Sequence, residues 1–259
     1  MDLTTLAIFP NISGMPKKRV SWKPNEVDYH DIEKYFEFYD LSLRRYYTEF
    51  VDVLLSKKNI EGKILDIGSG FSILGMMICA RDEFSSLWAL EQSRTLVKAS
   101  EVISLRRGYG NRITFKVWED DLLPYPDEEF DAVVSFLSLH KWVNPERTLA
   151  EIQRVRKKDS ILYISDFRRD QPSIPFKLFV QQTRFEMGKE ISEELKKSFR
   201  AAYTPDEIRQ ILAQINASDL RLEENKIWLN IISGLPSPQT QPAVSEINQT
   251  SEDNNRPAK

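Results

Sequence analysis

The residues that could hold a ligand begin with one acidic side chain and two glycines, Asp66, Gly68 and Gly70. An apolar run over residues 64–67 predicts a buried parallel strand, and a second apolar run over residues 73–80 predicts a helix. Glycines let the backbone approach a ligand closely, and the start of a helix offers free N–H groups with a partial positive charge. The segment therefore predicts a cradle for a ligand that contains a nucleotide.

Two details indicate which ligand this cradle suits. The nicotinamide dinucleotide fingerprint requires a third glycine three residues after the second, and Ile73 occupies that position. Asp66 lies two residues before the first glycine, where a carboxylate favours a cationic group over a pyrophosphate. The pattern therefore argues against an NAD-dependent oxidoreductase. A tight structural turn with a capping aspartate is the alternative that this pattern alone leaves open.

A second acidic residue, Glu91, ends the next predicted strand, residues 85–90. An acid at the end of the strand that follows a glycine turn can accept hydrogen bonds from both ribose hydroxyls of an adenosine. An ordinary exposed glutamate is the alternative. Two separate features thus indicate the same type of ligand.

One histidine, His140, follows an apolar strand predicted over residues 132–136. It is expected at the carboxyl edge of the sheet, where open α/β sheets bind their ligands. Imidazole titrates closest to neutral pH, so His140 is predicted to be a catalytic base, a polar wall residue or a residue that packs beside Trp142. The other histidine of the chain, His30, belongs to the N-terminal region.

The elements that must position these residues alternate along the chain. Further strands are predicted at residues 113–117, 161–165, 220–223 and 227–232, and further helices at residues 31–55, 93–107, from Asn144 and from Thr204. Residues 157–160 are predicted to be a turn before the fifth strand.

The motifs resemble those of class I S-adenosylmethionine (SAM) dependent methyltransferases, especially the methyltransferase type 11 group. The resemblance covers residues 61–167 and continues more weakly to Gly234. The Leu-Leu-Pro-Tyr-Pro segment at 122–126 and the Phe-Asp pair at 130–131 are both similar to segments of that family. The chain departs from the pattern at Ser72, where the family often has a third glycine.

This resemblance implies a Rossmann-like α/β fold, with a seven-stranded, mostly parallel sheet, helices on both faces and the last strand antiparallel. It implies SAM as cofactor and direct displacement of the methyl group. It also implies that Glu119, with Asp120 as the other candidate, meets the adenine amino group. The cofactor-binding residues that it implies are Asp66, Gly68, Ser69, Gly70, Glu91, Gln92, Glu119, Asp120 and Phe136.

The chain divides into three predicted regions. Residues 1–55 form an irregular segment and an aromatic helix, which either packs on the domain or covers the ligand pocket as a lid. Residues 56–234 form the methyltransferase domain, with a helical insertion at 168–203 that is predicted to help cover the acceptor. Residues 235–259 are polar and are predicted to be disordered.

Composition limits the partners of the protein. A net charge of −3 over 259 residues argues against general nucleic-acid binding. The single cysteine, Cys79, excludes internal disulfides and argues against a multi-cysteine metal site. We find no apolar run long enough to span a bilayer and no signal peptide, so the protein is expected in the cytoplasm. The oligomeric state is left open.

The acceptor is predicted to be a small, partly apolar molecule methylated at oxygen, nitrogen or carbon. The chain lacks an Asn/Asp-Pro-Pro-aromatic segment after the fourth strand, which amino-group methylases of adenine or glutamine carry. Two alternatives stay open. One is an RNA or protein methyltransferase that uses the basic residues 17–19 and 168–169, and the other is a catalytically silent SAM-binding partner protein.

Overall fold

The fold is described from a computed structural model, which covers residues 18–21, 32–56, 60, 62–83, 85–119, 122–171, 173–215 and 217–235. The predictions made for residues 1–17, for Asp120 and for the tail after Leu235 therefore lie outside the described residues, as does His30.

Seven strands form one sheet in the order β3-β2-β1-β4-β5-β7-β6. The strands are β1 Lys63–Ile67, β2 Ser86–Glu91, β3 Ile113–Val117, β4 Phe130–Phe136, β5 Arg156–Phe167, β6 Arg221–Glu224 and β7 Trp228–Ser233. Strand β7 is antiparallel to β5 and β6, and the other pairs of neighbours are parallel. The predicted sheet, with its last strand antiparallel, is confirmed.

The strand order places a crevice beside β1. From β1 the chain runs outward to β2 and β3, and it then returns to the other side of β1 to form β4. In open α/β sheets, ligands bind at the carboxyl ends of the strands where the order reverses in this way. The carboxyl ends of β1 and β4 therefore border the expected site.

Helices cover both faces of the sheet. They are α1 Ile32–Leu54, α2 Ile73–Arg81, α3 Arg94–Arg106, α4 Pro145–Val155, α5 Ser173–Met187, α6 Lys189–Ala201 and α7 Pro205–Gln214, with a 3₁₀ turn at Leu139–Lys141. Helices α1 to α3 pack in the apolar core of one face, and α4 and α7 pack in that of the other. No helix of the described residues is long and apolar enough to cross a bilayer.

The helix starts follow the predicted capping chemistry. The side chains of Ser93 and Asn144 accept hydrogen bonds from backbone N–H groups in the first turns of α3 and α4. Thr204 and Glu207 form a complete capping box at the start of α7, where the sequence predicted a helix to begin. Short local signals therefore determine these boundaries.

One boundary was predicted wrongly. Strand β5 begins at Arg156, so residues 157–160, predicted to be a turn before the strand, form an irregular bulge within it. The register of β4 against β5 shifts at this point, and Asp159 takes a left-handed conformation, with φ of 62°. The guanidinium of Arg156 bonds to Asp219 and so holds the start of the strand in place. The contact joins residues far apart in the sequence, so no local pattern reports it.

Candidate active site

The turn that follows β1 is attached to the end of β2. The N–H groups of Gly68 and Ser69 both donate to the carbonyl of Leu90, at 2.8 and 2.9 Å. Gly68 has φ of +73°, and a Cβ at this position would lie 1.8 Å from the hydroxyl oxygen of Ser138. The side chain of Ser138 thus occupies the space beside this glycine, so packing within the protein alone requires glycine here.

Gly70 has a different environment from Gly68. Its φ is +54°, and within the described residues no atom other than those of its chain neighbours lies within 4 Å of the position that a Cβ would take. Its N–H donates to Oε2 of Glu91 at 2.9 Å, and the N–H of Ser93 donates to Oε1 of the same carboxylate at 3.0 Å. A carboxylate has about four lone-pair positions, so Glu91 can also accept hydrogen bonds from a ligand. Gly70 therefore offers an open face beside a fixed acid.

Asp66 is buried at the end of β1, with 1% of its surface exposed. Its Oδ2 atom has no hydrogen-bond partner among the described residues. Burial, and secondarily the charge of Glu91, raise the pKa of this carboxyl to about 8. The ionised form of a buried acid beside a second acid is stabilised by a cation. This agrees with the prediction that the ligand carries a cationic group.

Ser72 ends the turn in a left-handed conformation, with φ of 55°. It is fully buried, and its hydroxyl has no partner among the described residues. The serine thus adopts the backbone conformation that a glycine would adopt more readily. This explains how the chain keeps the turn without the third glycine.

Helix α1 lies over the turn. The rings of Phe36 and Tyr39 contact Phe71, which lies between Gly70 and Ser72, at centroid distances of 6.1 and 5.9 Å. Burial, together with the charge of Glu194 on α6, raises the pKa of Tyr39 to about 12. Helix α1 therefore packs on the domain next to the predicted cofactor site. Its role as a lid stays a prediction.

Aromatic rings fill the space between α1 and the end of β4. Phe136, the last residue of β4, lies 5.0 Å from Tyr47, 5.5 Å from Phe50 and 5.5 Å from Trp228, measured between ring centroids. Phe50 also stacks on Tyr163 at 3.9 Å. These five residues form an aromatic layer beside the carboxyl edge of the sheet.

His140 lies in the 3₁₀ turn after β4 and is 2% exposed. Its Nδ1 lies 2.9 and 3.0 Å from the two carboxylate oxygens of Asp166, at the end of β5. Its backbone N–H donates to Oδ2 of Asp166 at 2.8 Å. Its Nε2 has no partner among the described residues. His140 was predicted from the sequence, but its pairing with Asp166 was not.

The remaining predicted cofactor residues lie on the same edge of the sheet. Gln92 follows β2 directly and is partly exposed. Glu119 follows β3, is exposed and forms an ion pair with Arg94. The structure therefore brings the predicted residues that it describes to the carboxyl ends of β1, β2, β3 and β4.

The two adjacent arginines after β5 are occupied within the protein. Arg169 is 2% exposed, and its guanidinium donates to both carboxylate oxygens of Glu207, at 2.6 and 3.0 Å, and to the carbonyl of Ala202 at 2.7 Å. Arg168 donates to Asp170 and to a backbone carbonyl. Neither guanidinium is therefore held ready for an acidic acceptor.

Comparison with known sequences matches the segment that contains the glycine turn and His140 to one family. Residues 65–164 match the family model described as a methyltransferase domain. A chloroplastic methyltransferase of Arabidopsis thaliana, itself uncharacterized, is 28% identical over 131 residues, which are 49% of this chain and 37% of that protein. The chloroplastic 2-methyl-6-phytyl-1,4-hydroquinone methyltransferase 1 of Oryza sativa subsp. japonica is 34% identical over 98 residues, 37% of this chain and 28% of that protein. The chain thus spans less than two fifths of the length of these two relatives.

A similar fold occurs in a solved structure from Methanococcus maripaludis, described as a SAM-dependent methyltransferase. It aligns with a TM-score of 0.65 and 17% identity, over 84% of this chain and 98% of that chain. The fold is thus that of class I SAM-dependent methyltransferases, and residues 65–164 carry the methyltransferase domain. The recognition made from the glycine turn is thereby confirmed, and the cofactor of this class is SAM, as predicted.

Proposed function

We propose that the chain transfers the methyl group of SAM to a small, partly apolar acceptor by direct displacement at the methyl carbon. The acceptor that fits best carries a phenolic or hydroquinone ring. The observation that carries this proposal is the juxtaposition of the acidic cradle formed by Asp66, Gly70 and Glu91 with the aromatic layer at the end of β4.

The cradle supports the cofactor half of the proposal. SAM carries a sulfonium and an ammonium group, and Asp66 and Glu91 are acidic groups at the ends of β1 and β2. Gly70 leaves its face open next to Glu91. The ribose hydroxyls can donate to Glu91, and the cationic portion of SAM can stabilise the ionised form of Asp66.

The aromatic layer supports the acceptor half. Phe136 and Tyr47 lie beside the end of β4, and their rings offer apolar surface and edge-to-face contacts to a second ring. The relative from Oryza sativa is named for a hydroquinone substrate. The arginines at 168 and 169 are committed to internal partners, which disfavours a phosphate or carboxylate acceptor.

The chemistry makes modest demands on the protein. A sulfonium is already a good leaving group, so the main contributions of the site are alignment of the acceptor and exclusion of water. An acceptor hydroxyl must also lose a proton. His140 is the base that we propose for this step.

The experiment has a binding arm and a turnover arm. Glu91→Ala should weaken SAM binding in calorimetry by about 1.5–3 kcal/mol, the scale of a hydrogen bond to a charged group. Glu101→Ala, at an exposed position on α3, is the matched control and should leave the affinity unchanged. Because Glu91 also accepts two backbone hydrogen bonds, thermal melting must show that the variant is folded. Unchanged SAM affinity in folded Glu91→Ala would remove this residue from the site.

Turnover is tested with isotopically labelled SAM and a set of hydroquinones and phenols. Methylation of a ring acceptor supports the proposal. A silent SAM-binding partner protein would bind SAM but methylate no acceptor. Methylation of RNA or protein in preference to every ring acceptor would instead support the alternative of an RNA or protein methyltransferase.

A further inference from the structure

We propose that Asp166 is the positioning residue that makes Nε2 of His140 the proton acceptor of the reaction, with Arg19 holding the backbone of the same turn. This inference rests on the proposed methyl transfer to a hydroxyl-bearing acceptor. It is argued from the pairing of His140 with Asp166 and from the unpartnered nitrogen on the other side of the ring.

The carboxylate of Asp166 determines which ring nitrogen carries the proton. Both of its oxygens lie within 3.0 Å of Nδ1 of His140. An ionised carboxylate only accepts hydrogen bonds, so Nδ1 must be the donor. In a neutral imidazole, the lone pair is then on Nε2.

The carboxylate itself is held in one orientation. Its Oδ2 accepts the backbone N–H of His140 at 2.8 Å, and its Oδ1 accepts the backbone N–H of Phe167 at 2.7 Å. Asp166 is 1% exposed, so water does not compete for these bonds. Four short contacts therefore fix the acid and the ring relative to each other.

Arg19 holds the 3₁₀ turn from the opposite side. Its guanidinium donates to the carbonyl of Ala201 at 2.7 Å and to the carbonyl of His140 at 3.3 Å. It also lies 4.0 Å from the centre of the Tyr203 ring. The backbone of His140 is thus connected to the end of α6, which packs against the turn.

The location of the turn connects it to the cofactor cradle. Ser138, two residues before His140, fills the space beside Gly68. A rearrangement of the 3₁₀ turn would therefore disturb the glycine turn after β1. The 3₁₀ turn that carries His140 thus contacts both the cradle, through Ser138, and helix α6 of the insertion.

The free nitrogen argues for a catalytic role over a structural one. A buried polar atom without a hydrogen bond costs about 1–3 kcal/mol of stability. A histidine with only a structural role could have Nε2 paired with a neighbouring side chain at no loss, whereas a catalytic base must keep this nitrogen unpaired. In the part of the chain that the structure describes, none does.

The proposed step balances as follows. The acceptor hydroxyl transfers its proton to Nε2 of His140 while the acceptor oxygen, or a ring carbon made electron-rich by that oxygen, forms a bond to the methyl carbon. The methyl–sulfur bond breaks, and its electron pair stays on sulfur, which becomes a neutral thioether. The imidazolium formed is stabilised by the carboxylate of Asp166. After methylation at carbon, the proton of that carbon passes to water, and the imidazolium of His140 returns its proton to the acceptor oxygen, which restores the aromatic hydroxyl.

The first test measures the tautomer of His140 by ¹⁵N NMR of histidine-labelled protein near neutral pH. His30 is the only other histidine, so a His30→Gln variant assigns the signals. We expect a protonated Nδ1 and an unprotonated Nε2. A proton on Nε2 of the neutral ring would overturn the proposal, whatever the acceptor is.

The second test compares turnover of 2,3-dimethyl-1,4-hydroquinone by His140→Gln, by Asp166→Asn and by Asp127→Asn, an exposed acid paired with Arg154, as control. We expect kcat to fall by about 100-fold or more in the first two variants, the usual contribution of a general base. The dissociation constant for SAM should change less than twofold, and the control should match the parent protein. Unchanged kcat in His140→Gln would overturn the proposal.

A series of phenols of increasing acidity separates a base from a packing residue. The deficit of His140→Gln should shrink as the acceptor hydroxyl becomes easier to ionise, because an acidic phenol does not need a base. An equal deficit for every phenol would indicate a structural role and would overturn the proposal. If Asp166→Asn does not fold, the wild-type tautomer and the His140→Gln series still decide.

The failure of the proposed function can be distinguished from the failure of this inference. If SAM binds but no ring acceptor is methylated, the acceptor class is wrong. The tautomer measurement then decides the positioning role alone, since it requires no acceptor.

Discussion

Binding of SAM should release a proton from Asp66. Burial, and then the charge of Glu91, raise the pKa of Asp66 to about 8, so about nine tenths of these carboxyls are protonated at pH 7 in the protein without cofactor. A sulfonium or ammonium group placed beside the carboxyl favours its ionised form. If SAM lowers this pKa below about 6, binding at pH 7 releases about 0.8 of a proton per site.

The same shift has a consequence for stability. The ordinary pKa of an aspartate is about 3.9, below the value of about 8 for Asp66 in the folded protein. Between these two values the folded protein binds more protons than the unfolded chain, so the free energy of unfolding falls as the pH rises from about 4 to about 8. Below about pH 4, Asp66 is protonated in both the folded and the unfolded protein and has no effect on stability. Above about pH 8, the full cost of burying the ionised carboxylate is present. SAM should therefore stabilise the protein more strongly at pH 8 than at pH 5.

Calorimetry in buffers of different ionisation enthalpy measures this proton release. The observed heat of SAM binding at pH 7 should depend on the buffer in the parent protein. The dependence should disappear in Asp66→Asn, which has no carboxyl to ionise. Glu119→Gln, which removes an exposed acid near the same edge of the sheet, should release as many protons as the parent. A buffer-independent heat in the parent protein, or equal release in Asp66→Asn, would refute the reasoning.

Three further predictions concern the turn and the tail. Gly70→Val should weaken SAM binding at least tenfold in calorimetry, because the added side chain enters the open face beside Glu91. Gly70→Ala should weaken binding less. Normal affinity in Gly70→Val would place the cofactor elsewhere. Ser72→Gly should raise the free energy of unfolding by about 1 kcal/mol in denaturant titrations, because it relieves a left-handed serine and removes a buried hydroxyl that has no partner among the described residues. A loss of stability would show that the hydroxyl has an essential partner. Truncation after Pro236 should leave the melting temperature within about 2 °C of that of the full chain, since the removed segment is polar and offers little apolar surface to bury. A fall of many degrees would show that the tail docks on the domain.

The sequence predicted the parts of the protein that are encoded locally. Strand β1, the glycine turn and the cap at Thr204 depend on residues that are close in the chain, so their patterns are legible without a structure. Gly68 was assigned to the ligand, but the structure shows a close contact with Ser138, 70 residues further along the chain. Such a contact depends on how β1 and β4 are placed side by side, which no spacing rule reports.

The pairing of His140 with Asp166 was missed for a similar reason. The two residues are 26 positions apart, at the ends of adjacent parallel strands. The available signal was topological. One strand, β5, ends with an acid, and its neighbour, β4, ends shortly before a histidine. A predicted strand order, combined with that observation, could have identified the pair. The conformation of Ser72 was also not predictable, because serine rarely adopts a positive φ.

The way in which the α5–α6 insertion is fastened has an evolutionary consequence. Arg168, where the insertion begins, forms a bridge with Tyr203, where it ends. The buried Arg169 also bonds to the carbonyl of Ala202 at the far end and to Glu207 on α7. Since the two ends already meet, replacing the helices between them adds little loop-closure entropy, provided that the new helices fill the place of Phe199 beside Phe167 of β5. Natural recombination or a designed chimera can therefore exchange this segment as a unit, and if the insertion covers the acceptor as predicted, the exchange should change the acceptor preference.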